Sequence, residues 1–223
     1  GRDLLDTPER PLHNKAIAGV YPPGSTYKMV TAPAALESKA IDPWTRLPCL
    51  GFIALGKIKF HCWLKGGHGS TNVVEAIAQS CDCFFYEAAR RAGVDRISDM
   101  AARLGFGKQS ELGLPGESAG NQPTRAWKQE KVGKPWQHGD TFNLGIGQGY
   151  MNCTPLQLAI MTARIANGGY EVQPNLLLAK ATPREELGPP PAVTKPATPS
   201  LRLNPQHLAM IRDGMNQVVN SGI

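Results

Sequence analysis

Residues Pro22-Pro23-Gly24-Ser25-Thr26-Tyr27-Lys28 run straight into the apolar stretch Met29-Val30-Thr31-Ala32. Two prolines and a glycine make a turn, and the residues behind it make a helix expected from about Ser25 to Ala40, bent at Pro33. Ser25 and Lys28 stand at i and i+3, so the amine can approach the hydroxyl on one helix face. A serine is a poor nucleophile until a neighbouring base takes its proton, and a lysine amine shielded from water can be that base. Nine serines and twelve lysines in 223 residues give about 0.5 chance matches to Ser-x-x-Lys, so the pair alone identifies nothing. The plain alternative is an exposed helix start with Ser25 as its N-cap.

The length suits one large domain or two small ones. A hydrophobic content of 41% with 19% charged residues describes a globular chain. The net charge of +6 is scattered, with no basic stripe and no aromatic-basic repeat, which speaks against nucleic acid as a partner. No run of about 18 apolar residues offers a membrane span. The chain opens Gly1-Arg2-Asp3 without a leader, so the expectation is a fragment whose anchor lies upstream. The cysteines are Cys49, Cys62, Cys81, Cys83 and Cys153, an odd number that argues against complete disulfide pairing.

Residues 1–20 are expected to be irregular and residues 47–63 to form a hairpin around Leu55-Gly56-Lys57. Helices are expected over 71–79 and 84–92, followed by one capped by Asp95 and ending near Gly105. Residues 105–150, rich in Gly and Pro, suggest long surface loops. Thr154-Pro155 opens a helix stopped by Gly168-Gly169. Residues 181–200, with six prolines, suggest an exposed loop, and a last helix runs from Asn204-Pro205 towards Val219.

Gly116-Glu117-Ser118-Ala119-Gly120 fits the nucleophile-elbow pattern, but that elbow needs a buried strand before it and a helix after it. The flanking Leu114-Pro115 and Asn121-Gln122-Pro123 supply neither, so this match is a loop coincidence. Ser25 passes the same test of context. A second polar group, Ser80-Cys81-Asp82, follows about 55 residues later in a break between two helices, where side chains can project into a cleft.

With these segments the chain resembles the penicillin-binding proteins, and more narrowly their elongation-type peptidoglycan D,D-transpeptidases, the penicillin-binding protein 2 group. The likeness is carried by residues 19–28, Gly67-His68-Gly69, Gln79-Ser80-Cys81-Asp82 with Phe84-Phe85-Tyr86, Gly145-Ile146-Gly147-Gln148-Gly149-Tyr150 and Thr154-Pro155-Leu156-Gln157. It implies an α+β, β-lactamase/transpeptidase-like fold with helices packed around an antiparallel sheet, incomplete at the C-terminus. It also implies a partial transpeptidase domain over 1–223, lacking anchor, pedestal region and third-motif strand.

In that family the motif serine attacks the carbonyl between the two terminal D-alanines of a stem peptide. The resemblance makes Ser25 the nucleophile, Lys28 its base and Ser80 a proton relay. Asp82 stands where the wider family has Asn, and this subgroup resembles the Asp version. Peptidoglycan stem peptides are the implied substrate and β-lactam antibiotics the implied inhibitors. Membrane glycosyltransferase and elongation scaffold proteins are implied partners through regions outside the chain, at the periplasmic face of the bacterial inner membrane. The third motif, Lys-Thr-Gly, does not occur in residues 1–223 and is expected after Ile223. A serine β-lactamase or D,D-carboxypeptidase of the same fold is one rival, with Glu117 as a candidate for activating a deacylating water. A non-catalytic binding module is the other.

Cys49, Cys62, His68 and Cys81 offer three thiolates and an imidazole, a donor set for tetrahedral zinc. A hairpin register that sets Cys49 opposite Cys62 would bring the first two together. The same register permits a Cys49–Cys62 disulfide, and free buried cysteines are a further alternative. The resemblance supports zinc, since some proteins of this group hold one near the second motif. Its role would be structural, with Cys83 able to replace Cys81 and Cys153 a core residue. His13, His61, His138 and His207 have no comparable setting. Trp63, Trp127 and Trp136 are either groove or core residues.

Overall fold

The structure, a computed structural model, describes residues 12–176 and 199–221. A single 3-10 turn, Gly24–Tyr27, leads into α1 (Lys28–Glu37). Every residue of α1 from Lys28 to Leu36 is buried, as befits a helix with no polar face. Three helices pack around it: α3 (Asp82–Ala92), α4 (Val94–Leu104) and α8 (Pro205–Asn220). The short α2 (Val73–Ala78) lies against α8 and is started by a reciprocal cap between Asn72 and Glu75.

The strands form two two-stranded antiparallel sheets among the described residues. β1 (Leu47–Cys49) pairs with β4 (Gly69–Thr71), and β2 (Phe52–Leu55) pairs with β3 (Ile58–His61). The expected single hairpin is thus two separate ladders. Its tight turn is Gly56-Lys57, so Phe52 faces His61, while Cys49 faces Gly69 and Cys62 lies just past β3. The register that set Cys49 against Cys62 is therefore corrected: the two-residue turn shifts the pairing so that Cys62 N donates to Gly51 O at 2.9 Å, and Cys49 lies beyond that pair, on β1 against β4.

Two further departures come from helix capping. The supposed loops of 105–150 contain α5 (Arg125–Val132) and α6 (His138–Gly145). Thr124 accepts from Trp127 N at 3.0 Å to start α5, and Gln137 and Asp140 cap each other to start α6. Asp95 does not cap α4. It sits in the first turn behind Gly93 and pairs with Arg125 at 3.1 Å. The helix α7 (Pro155–Ala166) and α8 start where Thr154-Pro155 and Asn204-Pro205 place them. Of the proline-rich 181–200 segment, residues 181–198 lie outside the described residues, as do 1–11 of the irregular lead-in.

α6 crosses α3 with almost no space between backbones. A Cβ at Gly145 would stand 2.5 Å from Ala89 Cβ and 3.1 Å from Phe85 O, and Thr31 Oγ1 of α1 donates to Gly145 O at 2.8 Å. α1, α3 and α6 thus form one stack under the cleft. Gly145→Ala is expected to lose about 1–3 kcal/mol in urea denaturation, the usual effect of overpacking. A loss below about 0.5 kcal/mol would show that the crossing has slack.

Candidate active site and metal cluster

Ser25 lies on the exposed side of the 3-10 turn, at the mouth of a cleft of about 820 Å³. It does not cap the helix, since neither Pro23 nor Tyr27 at the two helix starts makes a side-chain cap and Ser25 bonds elsewhere. The turn is anchored from below. Gly24 N donates to Gly147 O at 2.9 Å, and a Cβ on Gly147 (φ +69°) would lie 2.3 Å from Gly24 O. Only glycine allows that approach. Tyr27, wholly buried, donates to Gln122 Oε1 at 2.8 Å, and burial raises its hydroxyl well above the ordinary range, keeping it a donor.

Lys28, at 1% exposure, is the only lysine besides Lys128 among the buried polar residues described. Its Nζ donates to Ser80 O at 2.8 Å, to Ser80 Oγ at 2.9 Å and to Asp82 Oδ1 at 2.7 Å. The Phe85 ring lies 5.5 Å below it. An ammonium has three N–H donors, and these three acceptors use them all. Ser80 Oγ in turn donates to Ser25 Oγ at 3.0 Å. The expected direct approach of Lys28 to Ser25 is replaced by a chain of two bonds through Ser80, because the amine is drawn towards α3.

Ser80 takes the left-handed conformation, φ +50°, which costs a non-glycine residue about 1 kcal/mol or more. That kink turns both its carbonyl and its hydroxyl towards Lys28. Asp82 opens α3, where a carboxylate is favoured by the helix dipole. Its second oxygen accepts from Trp63 N at 3.0 Å. Trp63, Tyr86, Ile146 and Gln148 also line the cleft. Of these the sequence singled out only Trp63 as a wall candidate; the signal for Gln148 is its place between two glycines held at positive φ.

The other serine candidates fall away. Ser118 sits in a loop with its N–H on Ile17 O, and Glu117 accepts from Ser110 N; neither lines the cleft. Trp127 packs on Tyr150 and Trp136 donates to Thr141 Oγ1. Among the lone histidines, His207 pairs with Glu37, and His61 borders the cleft.

Behind the second motif, the donor atoms of Cys49, Cys62, His68 and Cys81 all lie within 4.8 Å of one another. Gly67 (φ +77°) makes this possible: a Cβ there would meet Cys49 O at 2.1 Å, so glycine lets the loop press His68 onto β1. The Sγ atoms of Cys49 and Cys62 are each 3.5 Å from His68 Nδ1. Zinc bonds of about 2.3 Å to sulfur and 2.0–2.1 Å to nitrogen, in a tetrahedron, span about 3.5 Å between those atoms. The donor set therefore fits such an ion. All five cysteines are free and buried, so the Cys49–Cys62 disulfide is not formed. Burial works against charge on Cys49, yet the backbone N–H groups of His68 and Gly51 outweigh it, helped by the His68 ring and Cys83, and bring the thiol down to about 6. Cys81 is pushed up to about 12 by burial and by the neighbouring Cys49 and Cys62. A cation would relieve that mutual repulsion. Cys83 lies beside Cys49 but outside the donor set, and burial raises it.

Removing the Lys28 amine is expected to strand Asp82 against the core. Lys28→Met should lose about 3 kcal/mol in urea denaturation, the lower end for a broken buried pair because Asp82 keeps some water. A loss under about 1 kcal/mol would mean that the pair contributes no more than a surface one.

The family described as penicillin binding protein transpeptidase domain matches residues 3–223. The peptidoglycan D,D-transpeptidase MrdA of Escherichia coli (strain K12) is 37% identical over 219 residues, covering 97% of this chain and 34% of that protein. Among solved structures, Pseudomonas aeruginosa PBP2 in complex with WCK 5153 aligns at 38% identity and a TM-score of 0.87, over 99% of this chain and 47% of that one. The complex of PBP2 and MreC from Helicobacter pylori aligns at 32% identity and a TM-score of 0.85, over 98% of this chain and 39% of that one. The chain thus spans about a third of the E. coli relative's length and just under half of the Pseudomonas structure.

Proposed function

The chain belongs to the penicillin-binding protein transpeptidase domain family, and from that premise we propose that it is the nucleophile-bearing part of a longer enzyme that cross-links peptidoglycan stem peptides. The observation that carries this reading is the bonded chain from Lys28 Nζ through Ser80 Oγ to Ser25 Oγ, ending at an open cleft. For the reaction Lys28 first gives up one proton to solvent, and the freed lone pair accepts from Ser80 Oγ, whose bond to Ser25 reverses. Ser25 Oγ then attacks the carbonyl between two terminal D-alanines, and its proton passes to Ser80 Oγ as Ser80 hands its own to the neutral Lys28 amine. The C–N bond then breaks, and the leaving D-alanine amine takes a proton back along the same path. A second stem peptide's amine attacks the Ser25 ester, forms the cross-link and returns the proton to Ser25. Asp82 holds Lys28 in place throughout. β-Lactams, as mimics of the D-alanyl-D-alanine end, acylate the same oxygen.

The reading extends to setting. Among the described residues no helix is long and apolar enough to cross a membrane, so an anchor would come from other parts of the longer protein. We place the enzyme at the periplasmic face of the inner membrane, working with a glycosyltransferase and a scaffold protein. The solved complex of H. pylori PBP2 with MreC supports the scaffold. We further assign zinc to Cys49, Cys62, His68 and Cys81. When bound, zinc supplies charge neutralisation and a cross-link among four chain segments; no step of the reaction runs through it.

Incubation of the full-length protein with labelled penicillin is expected to add one acyl group at Ser25, mapped by peptide mass spectrometry, and none in Ser25→Ala. Equal labelling of the two proteins would exclude Ser25, and rapid release of hydrolysed product without a lasting ester would favour a hydrolase. Elemental analysis should find about one zinc per chain, and a strong chelator should lower Tm by several degrees, as for structural sites generally. Zinc far below one equivalent, with a Cys49–Cys62 disulfide in the mass spectrum, would remove the metal.

A further inference from the structure

We infer that Trp63 is a positioning residue that braces the Ser80-x-Asp82 motif from both ends; this rests on the reading of Ser25, Lys28 and Ser80 given above. Trp63 follows Cys62 directly, and its ring meets the His68 ring edge-on with centroids 5.4 Å apart. From there it makes two hydrogen bonds. Its peptide N–H donates to Asp82 Oδ2 at 3.0 Å, and its indole Nε1–H donates to Gln79 O at 3.0 Å. The two acceptors flank Ser80 on either side.

Each bond has a separate physical task. Gln79 follows the last residue of α2, where carbonyls have no partner inside the helix; the indole supplies one. Asp82 has two oxygens, one on Lys28 and one on Trp63, so its rotamer, and with it the direction of the Lys28 amine, is fixed from both sides. Between them Ser80 keeps a left-handed backbone that persists only when its surroundings hold it. The residue is 55% exposed and borders the cleft. A tryptophan so exposed is not there to fill the core; its order comes from the two bonds and the contact with His68.

This arrangement gives the Cys49–Cys62–His68–Cys81 cluster a mechanical route to the reacting atoms. The cluster fixes the peptide after Cys62, and Trp63 carries that fixed position to both edges of the motif. Without the indole bond the cluster would remain intact while Ser80 gained freedom.

The test compares two replacements in the full-length protein: Trp63→Phe, and benzothienylalanine at position 63, which keeps the ring shape and lacks the N–H donor. Acylation of Ser25 by a fluorescent penicillin is resolved into the first-order acylation constant and the prior binding constant, alongside Tm and zinc content. Both variants are expected to lower the acylation constant about three- to tenfold, the effect of one hydrogen bond. Binding should stay within about twofold, and Tm and zinc content of the isostere should match those of the parent. An unchanged acylation constant in the isostere overturns the inference. Weaker binding at an unchanged acylation constant would make Trp63 a substrate contact, and a fall in Tm or zinc matching the lost rate would make it merely structural; either result overturns it as well. If the parent itself forms no Ser25 ester, the proposed function fails and this inference with it, whereas a labelled parent with unaffected variants removes the inference alone.

Discussion

The Lys28–Asp82 ion pair is the contact on which the site is built. Its two atoms stand 2.7 Å apart, with side-chain exposures of 1% and 13%. Charges placed this deep are tolerated only when paired and fully hydrogen-bonded, so α1 and α3 have one acceptable alignment. The two remaining Lys28 donors then require acceptors, and the Ser80 carbonyl and hydroxyl provide them. That demand explains the kink at Ser80, and the kink puts its hydroxyl against Ser25. On the other side, the close approach of Gly147 to Gly24 sets the height of the Ser25 turn. An electrostatic requirement in the core thereby fixes the geometry at the surface.

The cysteine–histidine cluster extends the same logic outward. It gathers the end of β1, the residue after β3, the loop before β4 and the residue before α3. Two-stranded sheets of three or four residues are marginal by themselves. With the proposed zinc bound, strong bonds from four donor atoms would tie these segments together immediately behind Asp82. The same cluster keeps Cys62, and so Trp63, beside the motif.

Local chemistry was readable where the signal lay in adjacent residues. The Pro-Pro-Gly turn, the Thr154-Pro155 and Asn204-Pro205 starts, and the break around Ser80 all stand where the residue types place them. The cluster membership was also legible, although for a faulty reason: the ladder does not oppose Cys49 to Cys62, and it is Gly67 and the loop to His68 that bring them together. Helices α5 and α6 were hidden because each is eight residues long and lies among glycines and prolines that mimic loop. Their caps, Thr124 and the Gln137–Asp140 pair, are weak signals without tertiary packing. The position of Ser80 between Lys28 and Ser25 was beyond reach, since an i, i+3 spacing says where an amine can go but not which distant carboxylate draws it away.

The central claim is that Ser25 and Lys28 communicate through Ser80. A double-mutant cycle on the β-lactam acylation constant tests it most directly, using Ser80→Ala, Lys28→Ala and the double variant, with each protein's fold checked by circular dichroism. Groups that act as one relay are strongly non-additive. The double variant should therefore be no slower than the slower single variant, within about twofold. Losses that multiply across the two sites would contradict the relay and return Lys28 to an independent role.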